Sequence, residues 1–156
     1  MRPLKAISIV LLAVFGLAAC SESGDQVVDY RDDDAAMNAA MDEARSTLPA
    51  FLNEMEAGRG DFSVKVPVKD AGYTEHMWMA NIRLADGKFH GQIANEPVTV
   101  ETVKLGDRYS IEKDRISDWM IQRDGGIYGG YTLRVMLDDL PEEQAASLRA
   151  RLRDLK

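Results

Sequence analysis

The sequence predicts an α+β domain, in which an N-terminal amphipathic helix packs on a small, strongly bent antiparallel sheet and C-terminal helices follow. Three observations predict this class. Apolar residues recur at spacings of three and four after residue 34, alternate with polar residues at a period of two between residues 62 and 122, and a helix start follows at Pro141. Strands grouped between helices at the two ends favour α+β over alternating βαβ units.

The first helix is predicted to begin after the aspartates at positions 32–34, because carboxylates accept hydrogen bonds from free amides at a helix N-terminus. Its apolar stripe comprises Met37, Met41, Ala44, Leu48, Phe51 or Leu52, and Met55. Pro49 has no N–H to donate, so we expect the helix to kink there, or to stop and restart with Thr47 as a cap. Gly58-Arg59-Gly60 is expected to end the helical region.

A run of short strands is predicted next. In the first strand, one set of residues forms a buried face and the other a solvated face: Phe62, Val64, Val66 and Val68 against Ser63, Lys65, Pro67 and Lys69. Pro67 indicates an edge strand or a proline that points outward. In the second strand, one face would hold His76, Trp78, Ala80, Ile82 and Leu84. Asp86-Gly87 predicts a tight hairpin into a third strand. Further strands are predicted at residues 98–103, 108–111 and 116–122.

The glycine pairs Gly125-Gly126 and Gly129-Gly130 are predicted to end the sheet. Residues 131–138 fit either a strand or a helix, and we favour the helix. A last helix is predicted from Pro141, with Asp139 as its cap. Its apolar stripe would be Leu148, Leu152 and Leu155.

The N-terminus has the pattern of an export signal. Positive residues precede the apolar residues 6–17, and this run is too short for a transmembrane helix, which needs about 20 residues. Leu17-Ala18-Ala19-Cys20 then resembles a bacterial lipobox. We therefore predict a signal peptide at residues 1–19, a lipidated N-terminus and flexible tether at 20–32, and a single domain at 33–156. Palmitate and diacylglycerol on Cys20 would anchor the protein to the cell membrane or outer membrane, with its domain facing the periplasm.

Cysteine usage and charge limit the possible partners. Cys20 is the only cysteine, so no disulfide explains its presence in an exported chain. The whole chain has 19 Lys and Arg against 26 Asp and Glu, a net charge of −7. Loss of the signal, with Arg2 and Lys5, would make the mature charge more negative by two. An acidic surface repels phosphate, so we expect no nucleic-acid partner.

Four motifs occur in order along the proposed domain: Glu75-His76-Met77-Trp78, Phe89-His90-Gly91-Gln92-Ile93-Ala94-Asn95-Glu96-Pro97, Ile116-Ser117-Asp118-Trp119-Met120 and Gly129-Gly130-Tyr131-Thr132-Leu133-Arg134. Together they resemble a bacterial family known as domain of unknown function 2314, from about residue 34 to the C-terminus. The resemblance implies a small α+β domain with no assigned activity, cofactor or catalytic residue. Proteins of similar arrangement include immunity proteins of toxin systems, so an immunity-like inhibitor is one alternative function.

The acid–base candidates are Glu75, His76 and Asp118, because a histidine near a carboxylate can transfer protons near neutral pH. They support a hydrolase as a second alternative. His76 and Trp78 lie on the same face of the predicted strand, however, and this position also suits a hydrogen-bonded histidine at the edge of the core. His90 has the opposite phase and no free cysteine remains, so we expect no metal site. No nucleophile or phosphate-loop motif is present, and no catalytic residue or cofactor is assigned.

The preferred hypothesis is a binding module that recognises a protein or another envelope component. Its candidate surface is formed by His76, Trp78, Asn95, Asp118, Trp119, Tyr131 and Arg134. The same side chains also fit a core position, and for Trp119 we favour an inward ring next to an outward Asp118. Arg134 is difficult to place on an exposed helix face, so a buried ion pair between Arg134 and Asp118 is predicted.

Overall fold

The structure is a computed structural model that describes the strands Ala6–Val10 and Val27–Arg31 and residues 34–155. These two strands, β1 and β2, pair antiparallel, and β1 also pairs in parallel with a later strand through residues 74–76. β1 falls within the predicted signal peptide and β2 within the predicted tether. The rest of both segments, with Cys20 and its predicted lipidation, lies outside the described residues.

Two helices, α1 (Ala35–Ser46) and α2 (Leu48–Glu56), precede the main sheet. Asp34 caps α1 by accepting a hydrogen bond of 2.7 Å from the Met37 amide. The predicted break between the helices is confirmed at Thr47, and Pro49 lies in the first turn of α2. Thr47 does not cap α2 through its side chain. Its backbone is helical, so its hydroxyl is directed back to the previous turn and donates to the Glu43 carbonyl at 2.8 Å.

Six strands form the antiparallel body of the sheet: β3 (Asp61–Asp70), β4 (Tyr73–Ala85), β5 (Lys88–Ile93), β6 (Arg108–Glu112), β7 (Asp118–Arg123) and β8 (Gly126–Gly129). The first half of β4 pairs with β3 and its second half with β5. On its other side β3 pairs with β7, and β7 pairs with β8. β5 likewise pairs with β6 on its other side. Asp86 and Gly87 have φ angles of 51° and 76°, which confirms the predicted tight hairpin.

The predicted sheet differs from the observed one at three places. Residues 98–103 form a loop and no strand. The glycines after β7 do not end the sheet, because β8 lies between them and pairs with β7, although two glycines in four residues give it little strand propensity. A two-residue strand, β9 (Leu152–Arg153), pairs in parallel with β8. The antiparallel prediction therefore holds for β3 to β8 and is wrong for the pairs that involve β1 with β4 and β8 with β9.

The C-terminal region is helical as predicted, with α3 (Tyr131–Met136), a 3₁₀ turn at Leu137–Asp139 and α4 (Glu142–Arg151). Pro141 occupies the cap position of α4, two residues after the predicted cap Asp139. The predicted leucine stripe is also interrupted. Leu148 is buried within α4, whereas Leu152 has already left the helix for β9.

The sheet has a packed layer on both faces. The first cluster joins α1 and α2 to the valines of β3, with Phe51 and Val64 fully buried. The second cluster, on the other face, joins α1 and α3 to Trp78 and Met120. The prediction that the polar face of β3 is solvated is wrong at Ser63 and Lys65, which are buried, and holds at Lys69, which is exposed.

The strand β4 is long enough to leave this covered region. A bulge lies between Ala80 and Arg83, where Asn81 has a φ of 52°. Asn81 and Ile82 together lie opposite the single residue Gly91. This one extra residue reverses the alternation of faces, so Arg83 joins the face of Ala80, and the prediction that Ile82 and Leu84 continue that face is wrong. The α+β class is confirmed, and a strong bend of the sheet stays a prediction.

Candidate functional site

The buried network is a set of polar residues, Lys65, Asp118 and Thr132, at the centre of the covered face. Lys65 of β3 lies opposite Asp118 of β7, and α3 places Thr132 above both. All three are completely buried. The Lys65 ammonium donates to the Thr132 hydroxyl at 2.8 Å, and this hydroxyl donates to the Asp118 carboxylate at 2.6 Å.

The Asp118 carboxylate also holds the start of α3. It accepts hydrogen bonds from the backbone amides of Thr132 at 2.8 Å, Tyr131 at 3.2 Å and its own neighbour Trp119 at 2.8 Å. Gly130, which precedes α3, has no side chain that could cap the helix, and its φ of 60° is left-handed. Asp118 therefore supplies across the sheet the negative charge that a helix N-terminus favours.

Burial shifts both charged groups of the network toward their neutral forms. It lowers the pKa of Lys65 to about 8, and the negative charge of Asp118 partly opposes this shift. Burial also raises the pKa of Asp118, while the Lys65 charge and the hydrogen bonds from Thr132 and Trp119 act in the opposite direction. The Lys65 ammonium also lies 4.9 Å from the ring centre of Trp78. Each charge is thus compensated by its partner rather than by water.

His76 and Trp78 continue the same face of β4 beside this network. Burial, with smaller effects from the positive charges of Lys65 and Arg45, lowers the pKa of His76 to about 3, so its imidazole is neutral at physiological pH. The His76 Nδ1 and Trp78 Nε1 atoms are buried and have no hydrogen-bond partner among the described residues. The Trp78 backbone amide, in contrast, donates to the buried side chain of Asn95 at 2.8 Å.

Glu75 lies on the opposite face of β4 from His76, as neighbouring strand residues do. Its carboxylate accepts hydrogen bonds from the amides of Val98, Thr99 and Val100 at 2.9, 2.8 and 3.1 Å. The Glu101 amide likewise donates to Asp70 at 2.7 Å, so the amides of residues 98–101 bind side chains instead of a neighbouring strand. The structure does not bring Glu75, His76 and Asp118 into one cleft, so the arrangement that the hydrolase alternative requires is not formed.

The predicted partner surface lies mostly in the interior. His76, Trp78, Asn95, Asp118 and Trp119 are at most 5% exposed, whereas Tyr131 and Arg134 are partly exposed.

Trp119 does point inward as expected, and its indole N–H donates to the Ala44 carbonyl at 2.9 Å and to the Thr47 hydroxyl at 3.1 Å. The expectation of an outward Asp118 is wrong, because a second layer covers that face too.

The predicted ion pair between Arg134 and Asp118 is also wrong. α3 directs Arg134 toward the C-terminal end of the chain, where it donates to the Arg153 carbonyl at 2.8 Å and lies 3.3 Å from the Asp154 carboxylate. The cation that faces Asp118 is Lys65, which the sequence pattern assigned to solvent. Periodicity alone gave no signal for Lys65 or Thr132, because the covering helices are distant in sequence.

A second site, the β4–β6 groove, lies on the same face beyond the bulge of β4. It is an open cavity of about 600 Å³ whose lining combines cationic, amide, hydroxyl and aromatic side chains: Asn81, Arg83, His90, Gly91, Gln92, Arg108, Tyr109 and Ser110. His90 Nδ1 is 2.7 Å from the Ser110 hydroxyl, and the Asn81 amide donates to Gln92 at 3.0 Å. The alternation of residues along β4 does not predict this groove, because the bulge changes which of its residues share a face.

Gly91 is required by the close approach of β4 and β5 below the groove. A Cβ atom at this position would lie 2.6 Å from the Ala80 carbonyl oxygen and 2.9 Å from side-chain atoms of Ile82 and Met79. The contact with Ile82, within the bulge, indicates that the missing side chain allows β4 to bulge at this point.

Comparisons with known proteins identify the family of the domain. A family model described as "Uncharacterized protein conserved in bacteria (DUF2314)" matches residues 34–152. The chain belongs to this family. It is 39% identical over 149 residues to the "Uncharacterized protein YegJ" of Escherichia coli K12, a match that covers 95% of this chain and 97% of that protein.

The DUF2314 chain is also 34% identical over 133 residues to the "Putative ankyrin repeat protein NMB1133/NMB1171" of Neisseria meningitidis serogroup B. That match covers 78% of this chain and 53% of the meningococcal protein. No solved structure matches the chain.

Both the buried network and the β4–β6 groove lie within the DUF2314 match. Among residues 34–155 no group of three His, Cys, Asp or Glu side chains is placed to hold a metal ion. In the described part of the chain, every helix is too short or too polar to cross a bilayer.

Proposed function

We propose that this DUF2314 protein is a lipid-anchored binding module of the bacterial cell envelope. Acylated Cys20 would hold it on the cell membrane or outer membrane, with the domain facing the periplasm. The domain would recognise a protein or another envelope component. The β4–β6 groove is the observation that carries the binding role, because there several polar side chains converge on one exposed cavity.

The state of the acid–base residues supports binding rather than hydrolysis. Three backbone amides occupy the Glu75 carboxylate, and hydrogen bonds from α3 and Trp119 occupy that of Asp118. The pKa of His76 lies near 3, far below the range in which a histidine exchanges protons at neutral pH. Glu75 and Asp118 therefore stabilise a loop and a helix start, whereas Arg83, Gln92 and Arg108 of the groove are exposed.

The anchor has a direct test. Cells that produce the full chain are fed radiolabelled palmitate and then fractionated. We expect label in the wild-type protein and in Ser21→Ala, a neighbouring change that keeps the thiol, and none in Cys20→Ser. We also expect the unlabelled Cys20→Ser protein to retain its signal peptide. Equal processing and equal membrane fractionation of the three proteins would contradict anchoring by Cys20.

The binding surface is tested by site-specific crosslinking in intact cells. A photoreactive amino acid replaces Ser110, which lines the groove, or Ser147, an exposed serine of α4 that serves as a matched control. We expect a discrete crosslinked product from position 110 and none of the same mass from position 147. The same product from both positions, or none from position 110, would contradict a partner at the β4–β6 groove.

A further inference from the structure

We infer that the β4–β6 groove binds a small ligand through an oxyanion group, a carboxylate or a phosphate, held between Arg83 and Arg108. This inference rests on the proposed function, because it names the ligand class of the same groove. The two arginines enter the cavity from the two strands that flank β5, Arg83 from β4 and Arg108 from β6.

The strand register shows how these side chains meet. His90 of β5 pairs with Arg83 on one side and with Ser110 on the other, and Gln92 pairs with Arg108. These residues share one face of the sheet, since His90 and Gln92 are two positions apart in one strand. Neighbouring strands are about 4.8 Å apart and a strand rises about 3.4 Å per residue, so the two arginines, offset by two residues along β5, emerge about 12 Å apart. His90 and Gln92 form the floor between them.

The two guanidinium groups have no acidic partner among the described residues. The chain has more acidic than basic residues, and several other arginines do have an acidic partner: Arg45, Arg59, Arg123, Arg134 and Arg149. The acids next to the groove are engaged elsewhere. Glu112 lies 3.0 Å from Lys88, and Asp107 accepts from the Lys104 amide at 2.9 Å. The charge of Arg83 and Arg108 is thus available to a ligand.

The floor of the groove adds neutral hydrogen-bonding groups. The Ser110 hydroxyl occupies His90 Nδ1, so Nε2 is the ring nitrogen of this lining residue that a ligand can use as a donor or an acceptor. The side chain of Gln92 is held between Asn81 and the Gly106 carbonyl, which fixes its position. Planar guanidinium groups bind carboxylate or phosphate oxygens through two parallel hydrogen bonds, and these neighbours would orient the remainder of the ligand.

Size and overall charge indicate a small ligand. A cavity of about 600 Å³ lies within the usual range for small-molecule sites, which is about 300 to 1,000 Å³. The net charge of −7 repels a polyanion at long range, whereas a single oxyanion close to two arginines experiences mainly the local field. A free ligand with one or two negative charges therefore fits better than a nucleic acid or an anionic membrane.

The test is an NMR titration of the purified full-length protein, with separate additions of inorganic phosphate, the tripeptide Ala-Glu-Ala and vesicles that contain an anionic phospholipid. We expect saturable shifts of the Arg83 and Arg108 Nε–H signals with phosphate or the tripeptide. The probe with the lower dissociation constant identifies the oxyanion. Arg83→Gln and Arg108→Gln should each raise the dissociation constant by about tenfold or more, the loss expected for one charge-assisted hydrogen bond.

Arg115→Gln is the matched control, because Arg115 is exposed, lies outside the groove lining and carries the same charge. It should change the dissociation constant by less than about twofold, since exposed charges at a distance are screened. An equal loss in Arg115→Gln, no shift with either soluble probe, or binding of the vesicles alone would overturn the inference. If the titration fails but crosslinking at position 110 persists, the ligand class is wrong and the partner site stands. If the titration succeeds but position 110 gives no crosslinked product, the macromolecular partner is wrong and the ligand class stands.

Discussion

Lys65→Met tests the role of the buried network in stability. The substitution keeps a long side chain but removes the charge that faces Asp118, and both residues are completely buried. A carboxylate left without its partner in the interior costs about 3 to 5 kcal/mol. We expect the free energy of unfolding of the full-length protein, measured by urea denaturation at pH 7, to fall by this amount.

The pH dependence of this loss identifies its cause. Lys65 lowers the pKa of Asp118, so its removal should raise that pKa further above the value in the unfolded chain. A folded carboxyl with a raised pKa binds more protons than the unfolded one, so stability increases as the pH falls through the folded pKa. Relative to wild type, Lys65→Met should therefore lose less stability at pH 5 than at pH 7, by at most about 1.4 kcal/mol for each pH unit titrated.

A double-mutant cycle completes the experiment. Asp118→Asn removes the negative charge and keeps an oxygen that can accept the α3 amides. If the two charges compensate each other, Lys65→Met/Asp118→Asn should lose about 2 kcal/mol less than the sum of the two single variants. Additive losses within about 0.5 kcal/mol, together with a loss in Lys65→Met that does not depend on pH, would refute the assignment of Lys65 as the partner of Asp118.

Two further comparisons use matched residues and the same urea assay. Gly129→Ala should lower the free energy of unfolding by about 3 kcal/mol, because a Cβ would overlap the ring and the carbonyl oxygen of Trp119 and the φ of 77° is left-handed. Gly125→Ala, with a φ of 73° but open space around it, should lose only about 1 kcal/mol, and equal losses would exclude the packing explanation. Trp119→Phe should cost about 1 to 2 kcal/mol more than Trp78→Phe, because the Trp119 indole makes two hydrogen bonds and that of Trp78 has none among the described residues. A larger loss at Trp78 would contradict this.

Local patterns predicted most elements of the domain but not the layer that covers them. The break before Pro49, the hairpin at Asp86-Gly87 and the helix at residues 131–136 depend on nearby residues, and all three are observed. The polar face of β3 was assigned to solvent, because alternation shows only that two faces differ. Whether Lys65 is exposed to solvent depends on α3, which lies more than 60 residues later in the chain.

The candidate site was harder to predict because its residues interact across the fold. Arg134 was the predicted partner of Asp118 and Lys65 was assigned to solvent, whereas α3 directs Arg134 away and covers Lys65. The β4–β6 groove depends on a bulge that shifts Arg83 onto the face of Ala80. Gly91 was a possible local signal of that bulge, since a glycine within a strand often marks a close backbone approach.

The bulge between Ala80 and Arg83 divides β4 into two parts that differ in their freedom to change. Upstream of it, pairing with β3 and contacts with the helices hold every residue in one register. Downstream, β4 and β5 form a hairpin arm with one partly solvated side. Substitutions on the solvated side of this arm do not affect Phe89 and Ile93, which pack in the first cluster on its other side. The side chains on the solvated side of the arm, which include Arg83 and Gln92, can therefore vary while the interior stays the same.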